Sequence, residues 1–504
     1  MKKISLPSEW YEYTKFTDSV LKSSESNKYT LSHYFLHPSR PLDRTLKVLK
    51  DLKLVSLRKR VLLRFRFYVC LFNCIKDVLS SIKIYKQYLF KHKTNLFKDQ
   101  FDILIVSHLN NKIQLKDDID HYYGNLINLI CSSKKSVLHI FIPHGYYSLS
   151  DIKKYLSIQR EYKSYILMDQ LVNLKDKFKS IISLLKERSR LLSLSQETSG
   201  YISNLYLYTA ETFLSYCNYT NIISGIQISE LVYKTNCNML LTTYEGHSWE
   251  RFYYCSAKEA RREIRCYGFQ HTLIFKHQHS LMRHLKAEWD PDYILTTGTK
   301  ISDDLEIKFD DNIIIKTIGS PKVKTDNSKS AALNTTNTFL FLPSGEEEEA
   351  IYFFEFAYNF AKMYPNSDVI IRFHPLMRDK FLNKRFMHLS NFKLSNSHIS
   401  RDCSKSRWAI YCGSTAIFEA LQEGCIPIRL LCGISNDLSD PLWQIRSRLI
   451  KSVSSYKDLG SIMNTYKYDR LNEISINEMY NKLLLEINRI RQPLSEITVK
   501  SLMK

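Results

Sequence analysis

Asp368-Val-Ile-Ile-Arg-Phe-His-Pro375 and Trp408-Ala-Ile-Tyr-Cys-Gly-Ser-Thr-Ala-Ile-Phe-Glu-Ala-Leu421 are the two stretches that decide the fold of this chain. Each begins as a short apolar run, which is typical of a buried parallel strand, and stops at polar residues. In the second stretch a helix is expected to begin at Ser414, where the strand stops. Hydroxyls and free N–H groups at a helix N-terminus, with a cation beside them, bind phosphate. Because ligands of open α/β sheets bind beyond the carboxyl ends of the strands, the two stretches predict a phosphate site and, as first hypothesis, a nucleotide-handling enzyme.

Short apolar runs alternate with helical segments through most of the remaining chain. The expected strands are 101–108, 136–142, 238–243, 264–270, 292–297, 313–318, 338–342, 368–373, 408–412 and 427–431. One long helical region is expected over residues 151–235. Strands that alternate with helices form parallel sheets from βαβ units, so the predicted fold class is α/β with Rossmann-like sheets.

The length of 504 residues and one polar stretch predict how these sheets are divided. Two domains are the default at this length. Residues 324–337, KTDNSKSAALNTTN, have the composition of a linker. We therefore expect a basic helical region over 1–100, a first Rossmann-like domain over 101–325 and a second over 338–504.

The segment after Ser344 is a local test of this organisation. Ser344 and Gly345 can cap a helix, and four glutamates (346–349) fill its first turn, where the helix dipole favours negative charge. One apolar face follows, formed by Ala350, Phe353, Phe354, Ala357 and Ala361.

The net charge of +21 is concentrated near the N-terminus. Residues 1–100 hold 21 Lys and Arg against 8 Asp and Glu, which suits an anionic partner. In the segment 58–69, RKRVLLRFRFYV, bulky apolar residues stand between the cations. This pattern predicts a helix on a membrane surface, and the alternative is a solvated helix whose apolar side packs on the core.

Other features favour a cytoplasmic protein. The N-terminal segment has no apolar core after its first lysines, no run of about 18 uncharged apolar residues occurs, and the eleven cysteines show no C-x-x-C pairing. The charged N-terminal region also leaves nucleic-acid binding as a non-enzyme alternative, although the motifs of common nucleic-acid modules are missing.

Polar residues at the expected strand ends are the candidate site residues. They are His108, His144, Glu245, Gln270, His271, Ser344, His374, Ser414 and Thr415. His374 can donate to a phosphate or a departing nucleotide, or it can simply pack at a strand end before Pro375. Ser414 and Thr415 can bind phosphate or cap a helix, and the two roles are compatible.

Glu245 is the candidate general base, because a carboxylate there can take a proton from an attacking hydroxyl. The alternative is an N-cap for the helix expected near Ser248. His271 is the second candidate base, or a contact to the acceptor. Glu419 either accepts hydrogen bonds from a ribose diol or is exposed.

Metal ligation has weak support in the sequence. Asp118-Ile-Asp120 and Asp290-Pro-Asp292 match a short and common pattern, and the histidines lack ligand spacing. We therefore predict no metal and no cofactor.

Three motifs together resemble a known group of enzymes: Arg-Phe-His374-Pro375, Gly413-Ser414-Thr415 and, upstream, Glu245-Gly246. The chain resembles bacterial CMP-sugar-dependent glycosyltransferases of GT-B fold, which include sialyltransferases, polysialyltransferases and Kdo transferases. The resemblance covers mainly residues 237–275 and 338–432. It implies two Rossmann-like domains whose parallel sheets face a central cleft, and inverting sugar transfer without a metal.

The resemblance also implies roles for individual residues. Glu245 would be the base, His374 the contact to CMP and the leaving group, and Ser414 and Thr415 the phosphate contacts. The expected donor-binding set is Arg372, His374, Pro375, Gly413, Ser414, Thr415, Glu419 and Ser344. His271, Gln270, His144 and His108 form the expected acceptor or secondary set.

This sequence departs from the group in ways that keep other donors open. Tyr244 stands where many sialyltransferases have a first acid, and the His-Pro and Gly-Ser-Thr motifs also occur in other transferases. A UDP- or GDP-hexose transferase and a CDP-polyol phosphotransferase remain alternatives. The nucleotide-sugar donor is a substrate. The expected acceptor is a cell-surface polysaccharide or lipid-linked glycan, reached from the inner face of the bacterial inner membrane through residues 44–98.

Overall fold

The computed structural model describes residues 6–39, 43–53, 55–89, 100–109, 120–143, 163–167, 174–309, 312–323, 333–374, 377, 389–432, 436–468 and 472–503. The chain divides into two compact units. The first consists of residues 5–272, 278–323 and 493–504, and the second of residues 1–4, 273–277 and 324–492.

The first unit contains N-terminal helices and a parallel sheet. The helices are α1 Ser8–Lys22, α2 Lys28–Leu31, α3 Asp43–Lys53 and α4 Leu57–Leu89, with a 3₁₀ turn at Tyr34–Leu36. The strands are β1 Ile103–Leu109, β2 Val137–Pro143, β3 Lys163–Leu167, β4 Met239–Thr243, β5 Arg265–Gln270, β6 Tyr293–Thr296 and β7 Ile314–Thr317. Among them lie α5 Leu126–Ser132, α6 Leu174–Glu197, α7 Gly200–Glu211, α8 Tyr216–Thr235, α9 Ser248–Ala260 and α10 Thr299–Glu306.

The last helix of the chain belongs to the first unit. The second unit consists of a smaller sheet with helices. Its strands are β8 Thr338–Leu342, β9 Asp368–Ile371, β10 Phe392–Leu394, β11 Trp408–Tyr411, β12 Ile426–Leu430 and β13 Lys451–Val453. Its helices are α11 Glu347–Met363, α12 Ile399–Cys403, α13 Ile417–Gln422, α14 Asn436–Ser439, α15 Tyr456–Tyr468 and α16 Asn472–Ile490. The last helix is α17 Glu496–Leu502.

Both sheets are parallel throughout and follow the same strand order. The first runs β3-β2-β1-β4-β5-β6-β7 and the second β10-β9-β8-β11-β12-β13. In each, the first strand of the unit lies between the second and the fourth, so the order reverses beside it. This is the Rossmann-type arrangement, and the reversal is the switch point where such sheets bind ligands. The prediction of an α/β fold with two Rossmann-like sheets is confirmed.

Burial explains why the central strands were recognisable. β8 and β11 are buried along their whole length, and the α11 face that begins at Ala350 is buried against the second sheet as expected. A strand covered on both sides by helices reads as a continuous apolar run. Residue Leu342 is aligned with Tyr411, which brings the ends of these two strands to the same level.

The structure differs from the expected elements at four places. β3 interrupts the region 151–235 that was expected to be helical, and it pairs with β2. β10 and β13 were not predicted. The helix expected at Ser414 begins three residues later, at Ile417.

The expected domain limits also differ from the two units. The N-terminal helices belong to the first unit, where Arg283 ties them down by donating to Asp18 at 2.9 Å and to the carbonyl of Leu36 at 2.7 Å. The last residues of the chain return to the first unit as well, since Ser495 donates its N–H to the Ile318 carbonyl at 2.8 Å. Gly319 (φ +90°) permits this return, because a Cβ there would lie 2.1 Å from the Pro493 carbonyl oxygen.

No helix in the described ranges is long and apolar enough to cross a membrane.

Candidate functional site

The first candidate site lies at the switch point of the first sheet, beyond the end of β4. Glu245 follows the strand by two residues, and Gly246 turns the chain with a φ of +77°. A Cβ at position 246 would lie 2.3 Å from the carbonyl oxygen of Ser280. Only glycine fits a position that needs both a left-handed backbone and this close approach, which explains why Gly follows the acid.

Two imidazoles flank the Glu245 carboxylate. Nε2 of His247 lies 3.2 Å from Oε2, and Nε2 of His271 lies 3.6 Å from Oε1. The Glu245 side chain is 23% exposed and that of His271 is 10% exposed. The structure therefore brings together the base candidate and its sequence-predicted alternative in one cluster, and adds His247, which the sequence had not singled out.

The three groups have strongly shifted pKa values. Burial raises the pKa of Glu245, but the hydrogen bond from His247 and the charges of His247 and His271 outweigh it and hold that pKa at about 2. Burial lowers the pKa of His247, yet its bond to Glu245 and the charges of Glu250 and Glu245 raise that pKa to about 9. Burial lowers the pKa of His271 to about 4. At neutral pH the cluster thus holds a carboxylate, an imidazolium and a neutral imidazole.

A second carboxylate, to which the sequence assigned no role in the site, holds this loop in place. Glu250 is fully buried and accepts the backbone N–H of Glu245 at 2.9 Å and that of His247 at 2.8 Å. It is the N3 residue of α9 in a capping box with His247 as N-cap. Burial raises the pKa of Glu250 to about 7. The sequence signal was available, because a Glu three residues after the N-cap is the mark of a capping box.

The cluster lines a cavity of about 490 Å³ with an aromatic wall. His108, at the end of β1, packs edge-on against Trp249 with ring centroids 4.9 Å apart. Tyr122 packs edge-on against His271 at 5.0 Å, and Tyr253 against Trp249 at 5.3 Å. The cavity therefore lies at the switch point, where β1 and β4 end. The Glu245 carboxylate lines one side of the cavity, and aromatic rings line the other.

The remaining acceptor-side candidates are placed differently. Gln270 is buried, and its amide donates to the Thr272 carbonyl, so it shapes the β5 turn. His144 lies outside the described residues. The Asp-x-Asp carboxylates serve as structural partners, since buried Asp120 lies 3.4 Å from His139 and Asp290 pairs with Arg251. Within the described chain no cluster of three potential metal ligands is present.

The second candidate site lies at the switch point of the second sheet. Glu349 of α11 accepts the N–H and the hydroxyl of Ser344, each at 2.8 Å, and the N–H of Gly413 at 3.5 Å. This carboxylate therefore joins the ends of β8 and β11. The first unit has the same arrangement. In each unit, a Glu at N3 of a helix accepts the N–H of the loop residue five positions earlier.

His374 closes the other side of this loop. A Cβ on Gly345 would lie 3.3 Å from Nδ1 of His374, so the glycine lets the ring approach the backbone. Partial desolvation lowers the pKa of His374 below its ordinary value. Ser344, His374 and Gly413 thus converge beyond the ends of β8, β9 and β11.

The structure places the other donor-binding candidates differently. Arg372 pairs with Asp402 at 3.2 Å and donates to the Ser397 carbonyl. Glu419 lies 3.5 Å from Arg491. Ser414 is buried and makes no side-chain cap of α13, and Thr415 is exposed. Pro375 lies outside the described residues.

Replacing His247 by Asn tests the ion pair, because Asn keeps an N-cap acceptor and removes the charge. The His247 pKa is raised in the folded state, so its contribution is full below about pH 6.5 and is lost as the pH rises through about 9. We expect His247→Asn to lower stability by about 1 kcal/mol near pH 6, since its side chain is 36% exposed and screened. Melting temperatures of both proteins should converge above pH 9, and a constant difference across this range would contradict the assignment.

No protein-family model and no curated protein matches the chain. Among solved structures, the glycosyltransferase of kitacinnamycin is 10% identical, with a TM-score of 0.47 over 80% of this chain and 98% of that one. UDP-GlcNAc 2-epimerase from Neisseria meningitidis bound to UDP-GlcNAc is 12% identical, with a TM-score of 0.45 over 80% and 100%. Spinosyn rhamnosyltransferase complexed with thymidine diphosphate is 11% identical, with a TM-score of 0.43 over 80% and 100%. These similarities identify neither donor nor reaction, so the function has to follow from the residues of the two sites.

Proposed function

We propose that this chain is an inverting glycosyltransferase that moves a sugar from a nucleotide-sugar donor to a hydroxyl of a glycan acceptor without a metal. The observation that carries the proposal is the Glu245 carboxylate, held between two imidazoles in an aromatic-lined cavity at a switch point. The three motifs of the sequence support the same reaction.

The cavity of the first unit has the chemistry of an acceptor site. A sugar presents C–H groups on its ring faces and hydroxyls at its edge. The rings of Tyr122, Trp249 and Tyr253 offer flat apolar surface to such faces, and the polar edge can meet Glu245. A volume of about 490 Å³ accommodates one or two sugar rings.

Glu245 is the residue we assign to the acceptor hydroxyl. The hydroxyl oxygen forms the new bond to the anomeric carbon, the bond from that carbon to the donor phosphate breaks, and its electron pair leaves with the phosphate. The hydroxyl proton passes to Glu245, which is ionised at neutral pH. Because its pKa of about 2 makes Glu245 a weak base alone, we propose that the neutral His271, 3.6 Å away, is the next proton acceptor.

The second unit supplies the donor site in this proposal. The leaving nucleotide gains negative charge on its phosphate as the glycosidic bond breaks. His374 can donate a hydrogen bond to a phosphate oxygen. The loop of Ser344 and Gly345 lies next to the His374 ring. Ser414 and Thr415 remain proposed phosphate contacts, and Glu349 keeps the loop in register.

The identity of the donor is the finer part of the proposal. The motifs favour a CMP-linked nonulosonic acid or Kdo. A UDP- or GDP-linked hexose, or a CDP-polyol, fits the same site chemistry. The contacts proposed here are to the phosphate, which these donors share, and not to the nucleobase. The acceptor we propose is a surface polysaccharide or a lipid-linked glycan.

A nucleotide panel separates these donors. We expect CMP and CTP to raise the melting temperature by several degrees, because a ligand at about one hundred times its Kd adds about 2.7 kcal/mol. UDP and GDP should leave it unchanged. Stabilisation by UDP or GDP alone would transfer the proposal to a hexose donor, and no response to any nucleotide would count against a donor site.

Two variants link that response to the second unit. His374→Ala should reduce the shift by at least half. His398→Asn is the matched control, since His398 is exposed, lies on the same unit and caps α12, which Asn also does. A full shift in the His374 variant would exclude this residue from the donor site.

A further inference from the structure

Helix α4 (Leu57–Leu89) carries apolar side chains on two opposite faces. One face is packed on the first unit, with Phe67, Cys74 and Val78 buried. The Phe67 ring lies 3.9 Å from the guanidinium of Arg188 of α6. Asp77 is fixed by Lys177, at 2.9 Å. These contacts fix the rotation of the helix about its axis and therefore determine which side chains face outward.

The outward face is an uninterrupted apolar stripe. Its large side chains are Val61 (60% exposed), Leu62 (56%), Phe65 (67%), Tyr68 (64%), Val69 (43%), Phe72 (66%), Ile75 (38%) and Leu79 (57%). Steps of four and three residues from Val61 to Leu79 place six of these on one line along the helix. Of the 21 large apolar residues exposed in the described chain, eight lie on this helix, so the stripe is a patch and marks an interaction surface.

Cations flank the stripe. Between residues 57 and 79 the sequence has six of them (Arg58, Lys59, Arg60, Arg64, Arg66 and Lys76), and its one carboxylate is that of Asp77, already paired with Lys177. Apolar side chains on a cationic helix suit both the headgroup layer and the acyl boundary of an anionic lipid surface. The apolar side chains enter the acyl boundary, while the arginines and lysines stay among the headgroups.

We propose that α4 docks this chain on an anionic membrane, with the helix lying in the plane of the interface and the stripe from Val61 to Leu79 inserted. A second copy of the chain fits the surface less well, because a symmetric pairing would bring two cationic helices together. Nucleic acid fits less well too, because its phosphates offer nothing to Phe65 and Phe72. The proposal does not depend on the transferase activity.

Vesicle flotation with the whole chain tests the proposal. The protein should bind vesicles of phosphatidylcholine with phosphatidylglycerol at least about tenfold more tightly than vesicles of phosphatidylcholine alone, and added salt should weaken the binding. Phe65→Ser with Phe72→Ser should reduce binding to the anionic vesicles by about tenfold or more. Both side chains are exposed, so the melting temperature should stay unchanged.

The matched control is Tyr233→Ser with Ile307→Ser, two side chains of the first unit that are each 79% exposed and belong to positions outside α4. This variant should bind like the wild type. Equal binding by the Phe65/Phe72 variant, or no preference of the wild type for anionic vesicles, would overturn the proposal. A wild-type dimer that the Phe65/Phe72 variant converts to monomers, without a change in vesicle binding, would also overturn it.

Discussion

We expect Glu245→Gln to lower the rate of sugar transfer by about a thousandfold and to leave the chain folded. Glutamine keeps the size and the hydrogen-bonding reach of the side chain, but it cannot take the hydroxyl proton. It also removes the charge that sustains the His247 imidazolium. The measurement is the turnover number with the donor that the nucleotide panel identifies, together with the melting temperature.

Two comparisons make the result specific to the chemistry. Glu263→Gln is the matched control, because that side chain is 79% exposed in the same unit and should transfer sugar at the wild-type rate. The Glu245 variant should retain the thermal shift caused by the nucleotide, since the proposed donor site is in the other unit. Transfer within a few-fold of the wild type would remove Glu245 as the base, and a loss of nucleotide response would point to a structural role.

His271→Ala bears on the same step with a smaller effect. If His271 is the second proton acceptor, the loss should be about tenfold to a hundredfold, because Glu245 still meets the hydroxyl. The two losses should not multiply in the double variant, since both residues serve one proton transfer. Multiplying losses would mean that His271 acts independently, as a contact to the acceptor.

Central strands and strand-end residues could be predicted from the sequence because burial on both faces leaves a strong signal. β1, β4, β8 and β11 are apolar runs that end at polar residues, and the switch-point residues Glu245 and Ser344 follow directly from this. β10 and β13 lie at the edges of the second sheet and have three residues each, several of them exposed. Edge strands this short lack the pattern that distinguishes a strand from a loop.

Side-chain partners that lie far apart in sequence could not be predicted. The resemblance placed Arg372 in the donor-binding set, but its partner in the structure is Asp402, which lies 30 residues further on. Glu349 was correctly placed in the first turn of a helix, yet its contact with Gly413 depends on the pairing of β8 with β11. The sequence predicted which residues stand at the strand ends, and the tertiary structure decides which of them lie together.

Helix α4 shows why the sequence left two interpretations open. A single apolar face would have indicated either core packing or a membrane surface. Here Phe67 packs inward while Phe65 and Phe72 point outward, so apolar residues surround much of the helix and its periodicity is weak. The core-packing interpretation describes the inward side of this helix, and the membrane interpretation is our proposal for the exposed outward side.

The largest expected loss of stability follows from Arg251→Met, which should cost about 3–5 kcal/mol. Arg251 is fully buried in α9 and pairs with Asp290, which is 1% exposed. It also donates to the carbonyl oxygens of Ser280 and Arg283, each at 2.9 Å. Methionine fills much of the space but leaves a buried carboxylate without its cation. Ser280 is also the residue whose carbonyl abuts Gly246, so the Glu245 loop should loosen and transfer should fall as well.

Urea unfolding gives the change in stability, and Arg262→Met, an exposed position just after the same helix, should stay within about 0.5 kcal/mol of the wild type. A cost below about 1 kcal/mol for Arg251→Met would mean that His284, 2.8 Å from Asp290, already neutralises this carboxylate without the arginine.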